Sequence, residues 1–175
     1  MEGKKALNRR VVITGLGLVT PLGIGVDETW SALCEGQSGI GDITRFDTTE
    51  FTTKIAGEVK NFNAEDYLPK KDAKRTETFI AYAVAGARMA VENAKLVIDE
   101  KKGPRVGVIT GCGLGGLHML ETTAHTVRDK GPKRCSPFFI PRLIGNMAAG
   151  MISIHLGAKG PNISVATACA AGAHA

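Results

Sequence analysis

Ser164-Val165-Ala166-Thr167-Ala168-Cys169-Ala170-Ala171-Gly172-Ala173-His174-Ala175 alternates small and β-branched residues, then passes at a cysteine into small helix formers. That is how a strand hands over to a helix, and it places Cys169 at the turn. A thiol at a helix N-terminus lies at the positive end of the aligned peptide dipoles, which favours the thiolate. The first turn also leaves N–H groups unpaired and aimed at the same point, ready to hold an oxyanion while a carbonyl is attacked. Ala168, Ala170, Ala171 and Gly172 are small enough to leave the thiol approachable. On residue types alone the plainer reading of Cys169, one more small buried hydrophobe, is the commoner role of a cysteine. Both readings stay open at this point.

Working outward, 175 residues suffice for one domain with a real core, and 43% hydrophobic with 22% charged residues is ordinary globular composition. Cys34, Cys112, Cys135 and Cys169 fall at wide, irregular spacings with no CxxC pair, so neither a zinc ribbon nor a disulfide framework is indicated. Free thiols in a reducing cytoplasm fit, with no metal and no cofactor called for. A net charge of +5 points to an acidic partner. Two tyrosines and one tryptophan offer few stacking platforms for single-stranded nucleic acid, so the partner expected is an acidic protein surface.

Arg9-Arg10 followed by the apolar run to Val26 superficially resembles a signal peptide. The run is broken by Gly15, Gly17, Thr20-Pro21, Gly23 and Gly25, lacks an A-x-A cleavage site and is too short for a membrane span. It reads instead as a strand, Val11 to Thr14, entering a glycine-rich loop. Gly15-Leu16-Gly17 is no dinucleotide fingerprint, because the third glycine is misplaced and Pro21 stands where the phosphate-binding helix should start.

Asp27 then reads as the N-cap of a helix to about Cys34, with Trp30, Leu33 and Cys34 on its apolar face and Gly36 closing it. Gly39 to Thr53 reads as loop, Lys54 to Val59 as a weak strand, and Asn63 to Leu68 as one helical turn. A long helix from Thr76 to about Ala94 carries Phe79, Ala83, Gly86, Ala87 and Ala90 at three- and four-residue steps, a stripe that permits close packing. The strand Val106 to Thr110 runs into Gly111-Cys112-Gly113-Leu114-Gly115-Gly116, followed by a helix from Leu117 to Arg128. A loop to Pro137 leads to Phe138-Phe139-Ile140 and a single helix from Pro141 to about Leu156. The strand Ile163 to Ala166 delivers Cys169. Strands alternating with helices imply an α/β layer with a largely parallel sheet.

Two basic clusters, Lys70-Lys71 with Lys74-Arg75 and Lys130 with Lys133-Arg134, lie in loops or at helix starts, where a cation gains nothing from the dipole. That hints at a binding role, although solvated surface is what most such runs are. The histidines are less suggestive. His174 lies about 140° around a helix from Cys169, His118 and His125 are two turns apart, and His155 closes a helix. Each reads as structural or solvent-facing.

Arg10-Val11-Val12-Ile13-Thr14-Gly15-Leu16-Gly17 with Thr20-Pro21, Gly36-Gln37-Ser38-Gly39-Ile40, Gly113-Leu114-Gly115-Gly116, Ser136 to Pro141, Asn146-Met147, Gly160-Pro161 and Ala166-Thr167-Ala168-Cys169 together resemble the elongating β-ketoacyl-acyl-carrier-protein synthases. Among them, the type II synthases of bacterial fatty acid synthesis are the nearest in pattern. The resemblance runs from about residue 8 to the end. It implies a thiolase-like α/β fold, of which residues 1–175 would be the first half of a five-layer αβαβα sandwich with a mostly parallel core sheet. It makes Cys169 the acyl-accepting nucleophile and a backbone oxyanion donor. Leu114, Phe139 and Ile140 match acyl-pocket positions, the last two reaching across a homodimer interface. Lys71, Lys74, Arg75, Lys133 and Arg134 match the rim that docks acyl- and malonyl-loaded carrier protein. A cytoplasmic enzyme acting on neither nucleic acid nor membrane is implied.

Arg142 and Gly145 stand where that family usually has smaller polar and β-branched residues, and Cys112 replaces a more usual serine. Family members are about twice this length, and their two histidines, lysine and second oxyanion donor lie beyond the nucleophile. The resemblance therefore implies that residues 1–175 alone neither condense nor stay well ordered. Other readings are a type I or polyketide ketosynthase domain, a cysteine hydrolase that would need a histidine near Cys169, and a non-catalytic carrier-binding module indifferent to Cys169.

Overall fold

The computed structural model describes residues 10–175. Arg9, half of the basic pair noted above, lies outside them. Two antiparallel pairs and one parallel pair of short strands are set among seven helices in the described residues.

The expected strand Val11 to Thr14 forms no ladder among the described residues; Val11 and Ile13 are 93% and 83% exposed. An apolar run becomes a strand only where a neighbouring backbone meets it. The first strands, β1 (Val19–Thr20) and β2 (Gly23–Ile24), instead make a tight antiparallel hairpin. The Thr20 hydroxyl oxygen accepts from the N–H groups of Leu22 and Gly23 and stands 3.2 Å from the buried Thr29 hydroxyl.

Helix α1 (Val26–Cys34) is capped by Gly25 at φ 104°, not by Asp27. The Glu28 carboxylate, in the first turn, reaches back to accept from the Ile24 N–H at 2.9 Å and so fixes the entry of the chain into the helix. The expected apolar face also points the wrong way. Thr29 and Ala32 are buried, while Trp30 is 64% exposed and Leu33 and Cys34 are also outward. Small residues let α1 lie close to the hairpin, and that contact outweighs burial of the larger side chains. Within the expected loop, Ile40–Asp42 forms β3, paired antiparallel with β4 (Ile55–Gly57). The Glu58 carboxylate accepts from the Thr44 hydroxyl at 2.7 Å beside this pair, which holds its pKa below the usual carboxylate range.

A 3-10 turn (Ala64–Asp66), capped by Asn63, leads to the one-turn helix α2 (Lys70–Ala73) and then α3 (Thr78–Asn93). Strand β5 (Val108–Gly111), α4 (Leu117–Lys130), α5 (Phe139–Leu143), α6 (Met147–Leu156) and β6 (Asn162–Val165) follow. The single helix expected from Pro141 to Leu156 is thus two. Ile144 turns extended, and Asn146 precedes a new start. β5 and β6 run parallel with Val108 opposite Asn162 and Gly111 opposite Val165, as alternating strands and helices imply.

The core lies where α3 meets α6. Ile80, Ala81 and Val84 face Ala149 and Ile152, joined by Leu68, Val108 and Ala158. α6 also packs on β5 and β6, so strands, α6 and α3 form successive layers. The fully buried stripe of α3 is Ile80, Ala81, Val84 and Ala85, adjacent to the expected one, whose members are only half-buried. Gly86 and Ala90 serve another purpose. The segment 15–17 crosses them so closely that a Cβ on Gly17 would stand 1.9 Å from the Gly86 carbonyl oxygen.

One polar contact ties α5 to this body. The Arg142 guanidinium pairs with the buried carboxylate of Glu77, the residue at the N-terminus of α3. Arg142→Met would leave Glu77 buried without its cation and is expected to lower stability by about 1–3 kcal/mol in urea unfolding. Adding Glu77→Gln should cost less than the sum of the two single changes.

Candidate active site

β6 ends at Val165, and the chain turns through Ala166 and Thr167 into a 3-10 turn (Ala168–Ala170) followed by α7 (Ala171–His174). Cys169 is the middle residue of that turn, and its side chain is exposed. Ala168 adopts φ 50°, a left-handed conformation that costs a non-glycine residue roughly 1–2 kcal/mol. Such a turn reverses the strand sharply enough to lift the next side chain away from the sheet. The Ala170 N–H donates to the Thr167 carbonyl at 3.1 Å, and the Ala171 N–H donates to that of Ala168. The Cys169 N–H has no backbone partner among the described residues. The Thr167 hydroxyl lies 2.8 Å from Nδ1 of His174, which braces the turn from its far end.

The glycine-rich stretch after β5 is built around the same turn. A Cβ on Gly111 would stand 2.2 Å from the Ala171 carbonyl oxygen, and one on Gly113 would be 3.7 Å from that of Ala168. Only glycine at 111 lets β5 approach the start of α7 this closely. Gly115, at φ 85°, and Gly116 then pass under α5, where Cβ atoms would lie 2.4 Å from the Leu143 oxygen and 2.2 Å from the Arg142 oxygen. The Gly116 N–H donates to the Leu143 carbonyl at 2.9 Å. One six-residue segment thus touches both the cysteine turn and the helix carrying Phe139 and Ile140.

The expected pocket residues are brought to this segment but do not enclose a pocket. Leu114 is 83% exposed, Ile140 is exposed and Phe139 is half-buried. A groove of about 890 Å³ opens between Phe46, Phe51, Phe79 and Tyr82 and the start of α4, and Cys169 is not among its walls. The basic clusters are exposed as expected. The Arg75 guanidinium carbon lies 4.6 Å from the ring centre of Phe138, four residues beyond Arg134. Four residues span at most about 14 Å, so Lys71, Lys74 and Arg75 share a neighbourhood with Lys133 and Arg134. No cluster of His, Cys, Asp and Glu among the described residues could hold a metal, and no described helix is long and apolar enough to cross a membrane.

Sequence reasoning missed two partnerships. Arg142 belongs to Glu77, and Cys112 meets Gly145: a Cβ on Gly145 would stand 3.2 Å from the Cys112 sulfur. The signal was present in the unusual residues themselves, since a larger atom at 112 is accommodated by a missing side chain at 145. Gly145→Ala is expected to cost about 1 kcal/mol with Cys112 present and about half that with Cys112→Ser, read from a double-mutant cycle in urea.

Residues 8–175 match the family model described as Beta-ketoacyl synthase, N-terminal domain. A 3-oxoacyl-(acyl-carrier-protein) synthase 2 of Synechocystis sp. is 50% identical over 167 residues, covering 95% of this chain and 40% of that protein. Among solved structures, the ishigamide ketosynthase/chain length factor aligns with TM-score 0.75 at 33% identity, over 91% of this chain and 40% of that one. A ketosynthase bound to a hexaketide, in complex with its type II PKS acyl-carrier protein, aligns at 0.73 and 20% identity over 94% and 43%, a likeness of fold alone. The chain spans about 40% of the length of the curated relative it matches. With the α/β architecture and a family match over nearly all of its length, this chain belongs to the β-ketoacyl synthase family, as its N-terminal domain.

Proposed function

We propose that this chain supplies the nucleophile-bearing half of a condensing enzyme that elongates acyl chains on carrier protein. The observation that carries the reading is the exposed Cys169 on a sharp strand-to-helix turn, its own N–H without a backbone partner among the described residues. In the first half-reaction the Cys169 thiolate attacks the acyl-carrier thioester carbonyl, and that amide receives the developing oxyanion. The tetrahedral adduct collapses, the carrier's thiolate leaves, and the acyl group stays on Cys169. Exchange of one thioester for another is close to neutral in energy, so the site needs a reactive sulfur and a prepared oxyanion donor more than a driving force.

In the second half-reaction malonyl-carrier protein loses carbon dioxide, and the resulting enolate carbon attacks the enzyme thioester. A 3-oxoacyl-carrier protein forms, the Cys169 thiolate is released, and loss of carbon dioxide makes the step irreversible. Three of the four histidines are otherwise engaged, His174 with Thr167, His125 with Arg128 and His155 facing Asp72, and His118 lines the groove that excludes Cys169. The groups that stabilise the enolate are accordingly assigned to the remaining length that the relatives possess. Exposed Val11, Ile13, Ile109, Leu114, Ile140 and Ile163 support this, since so much outward apolar surface suits a face covered in the complete synthase. The same reading makes Leu114 a gate on chain length, places Phe139 and Ile140 at a homodimer interface, and makes the enzyme cytoplasmic. Lys71, Lys74, Arg75, Lys133 and Arg134 form the carrier-docking rim, where opposite charge speeds encounter without demanding tight binding.

In the complete synthase, Cys169→Ala is expected to abolish both acyl-enzyme formation, read by intact mass after incubation with acyl-carrier protein, and condensation. Acylation surviving in that variant would defeat the assignment. Reversing Lys71 and Lys74 to Glu should raise the KM for carrier-bound substrate about tenfold or more at low salt, with the difference shrinking as salt is added.

A further inference from the structure

α2 is a single turn, and a single turn does not hold its own shape in water. Pro69 at its N-terminus supplies no side-chain cap. Behind it lies a cavity of about 180 Å³, with Asp72 and Arg75 on one side and Ile80, Pro141, Met147 and Met151 on the other. Ala73 is the one apolar residue by which α2 packs on the core, and polar contacts hold the rest of the turn. The Thr76 hydroxyl donates to the Asp72 carbonyl at 2.7 Å, and Arg75 lies over Phe138. The Asp72 carboxylate lies 3.7 Å from Nε2 of His155, which projects from α6. The His155 side chain is only 10% exposed, and this nitrogen is buried without a hydrogen-bond partner.

A buried nitrogen left without a partner is costly, so the nearby carboxylate offsets a real penalty. At 3.7 Å the attraction is electrostatic and not yet a formed hydrogen bond. The neutral Nε2–H tautomer and the imidazolium both present a proton to Asp72. Asp72 is the one acidic residue between Lys70 and Arg75. The charges around it are Lys70, which stands 4.0 Å from Glu65, and Lys71, Lys74 and Arg75. Drawn toward α6, Asp72 leaves the outward side of α2 to the cations.

We propose that His155 is a positioning residue for carrier docking: by holding Asp72 from α6 it fixes the one-turn helix so that Lys71, Lys74 and Arg75 keep the spacing an acidic carrier protein meets. The inference rests on the docking role proposed above. It is tested in the complete synthase by titrating apo acyl-carrier protein at low ionic strength, alongside steady-state kinetics. Asp72→Asn and His155→Leu should each weaken carrier binding and raise the KM for carrier-bound substrate about three- to tenfold, with kcat unchanged and the protein fully folded at the assay temperature. His155→Gln, whose amide still donates, should stay within about twofold of the parent. The sign discriminates, because on charge alone Asp72→Asn removes a negative group from a basic rim and tightens binding. Tighter or unchanged binding by Asp72→Asn, or a loss that only tracks unfolding at the assay temperature, overturns the proposal. Lys71→Glu with Lys74→Glu is the control. Intact carrier binding there defeats the docking reading and this inference with it. Weakened binding there, with none in Asp72→Asn or His155→Leu, defeats the positioning role alone.

Discussion

Close approach of one backbone to another is the constraint on which the site depends. The carbonyl oxygens of Ala171, Leu143 and Arg142 stand where Cβ atoms of Gly111, Gly115 and Gly116 would be. Through that segment the end of β5 is locked to the turn bearing Cys169 on one side and to α5 on the other. Side chains cannot mediate such contacts, because any Cβ would push the partners apart by more than van der Waals packing tolerates. The turn bearing Cys169 is therefore held by main chain, the least variable part of the molecule. The strained Ala168 lies within that turn, between β6 and the start of α7 against which Gly111 packs.

The same device recurs in the helical layer. Gly15 and Gly17 cross α3 over Gly86, Ala90 and Ala94, and the small residues of α3 and α6 let those two helices meet directly. Polar contacts then act as local fasteners on this scaffold. Glu77 with Arg142 secures α5, and His155 with Asp72 draws α2 toward α6. The residues that look unusual beside the family pattern make sense as members of such pairs. Arg142 finds a buried carboxylate, and the cysteine at 112 fits because Gly145 offers no side chain.

Much of this was legible in the chain before any coordinates. The strand leading to Cys169, the long helix ending near Ala94, the helical turn within Asn63 to Leu68 and the strand before Gly111 fall within a residue or two of where alternation and stripes put them. The failures share a cause. Val11 to Thr14 has strand character without a partner strand, α1 turns its small residues inward, and the apolar stretch after Pro141 breaks at Ile144. In each case the outcome turned on a distant neighbour. The cysteine's two readings were undecidable locally for the same reason, since exposure is a property of everything packed nearby.

By itself, then, the sequence determined the long helix α3, the strands β5 and β6, the membership of the family and the location of the candidate nucleophile at a strand-to-helix turn, because these follow from short-range periodicity and contiguous motifs. Tertiary structure alone decided which face of each helix is buried, that Arg142 answers Glu77 and His155 answers Asp72, and that the loop 111–116 joins the cysteine turn to α5. Those partners lie 65, 83 and tens of residues apart in the chain, and no local pattern encodes which distant backbone will come within contact distance.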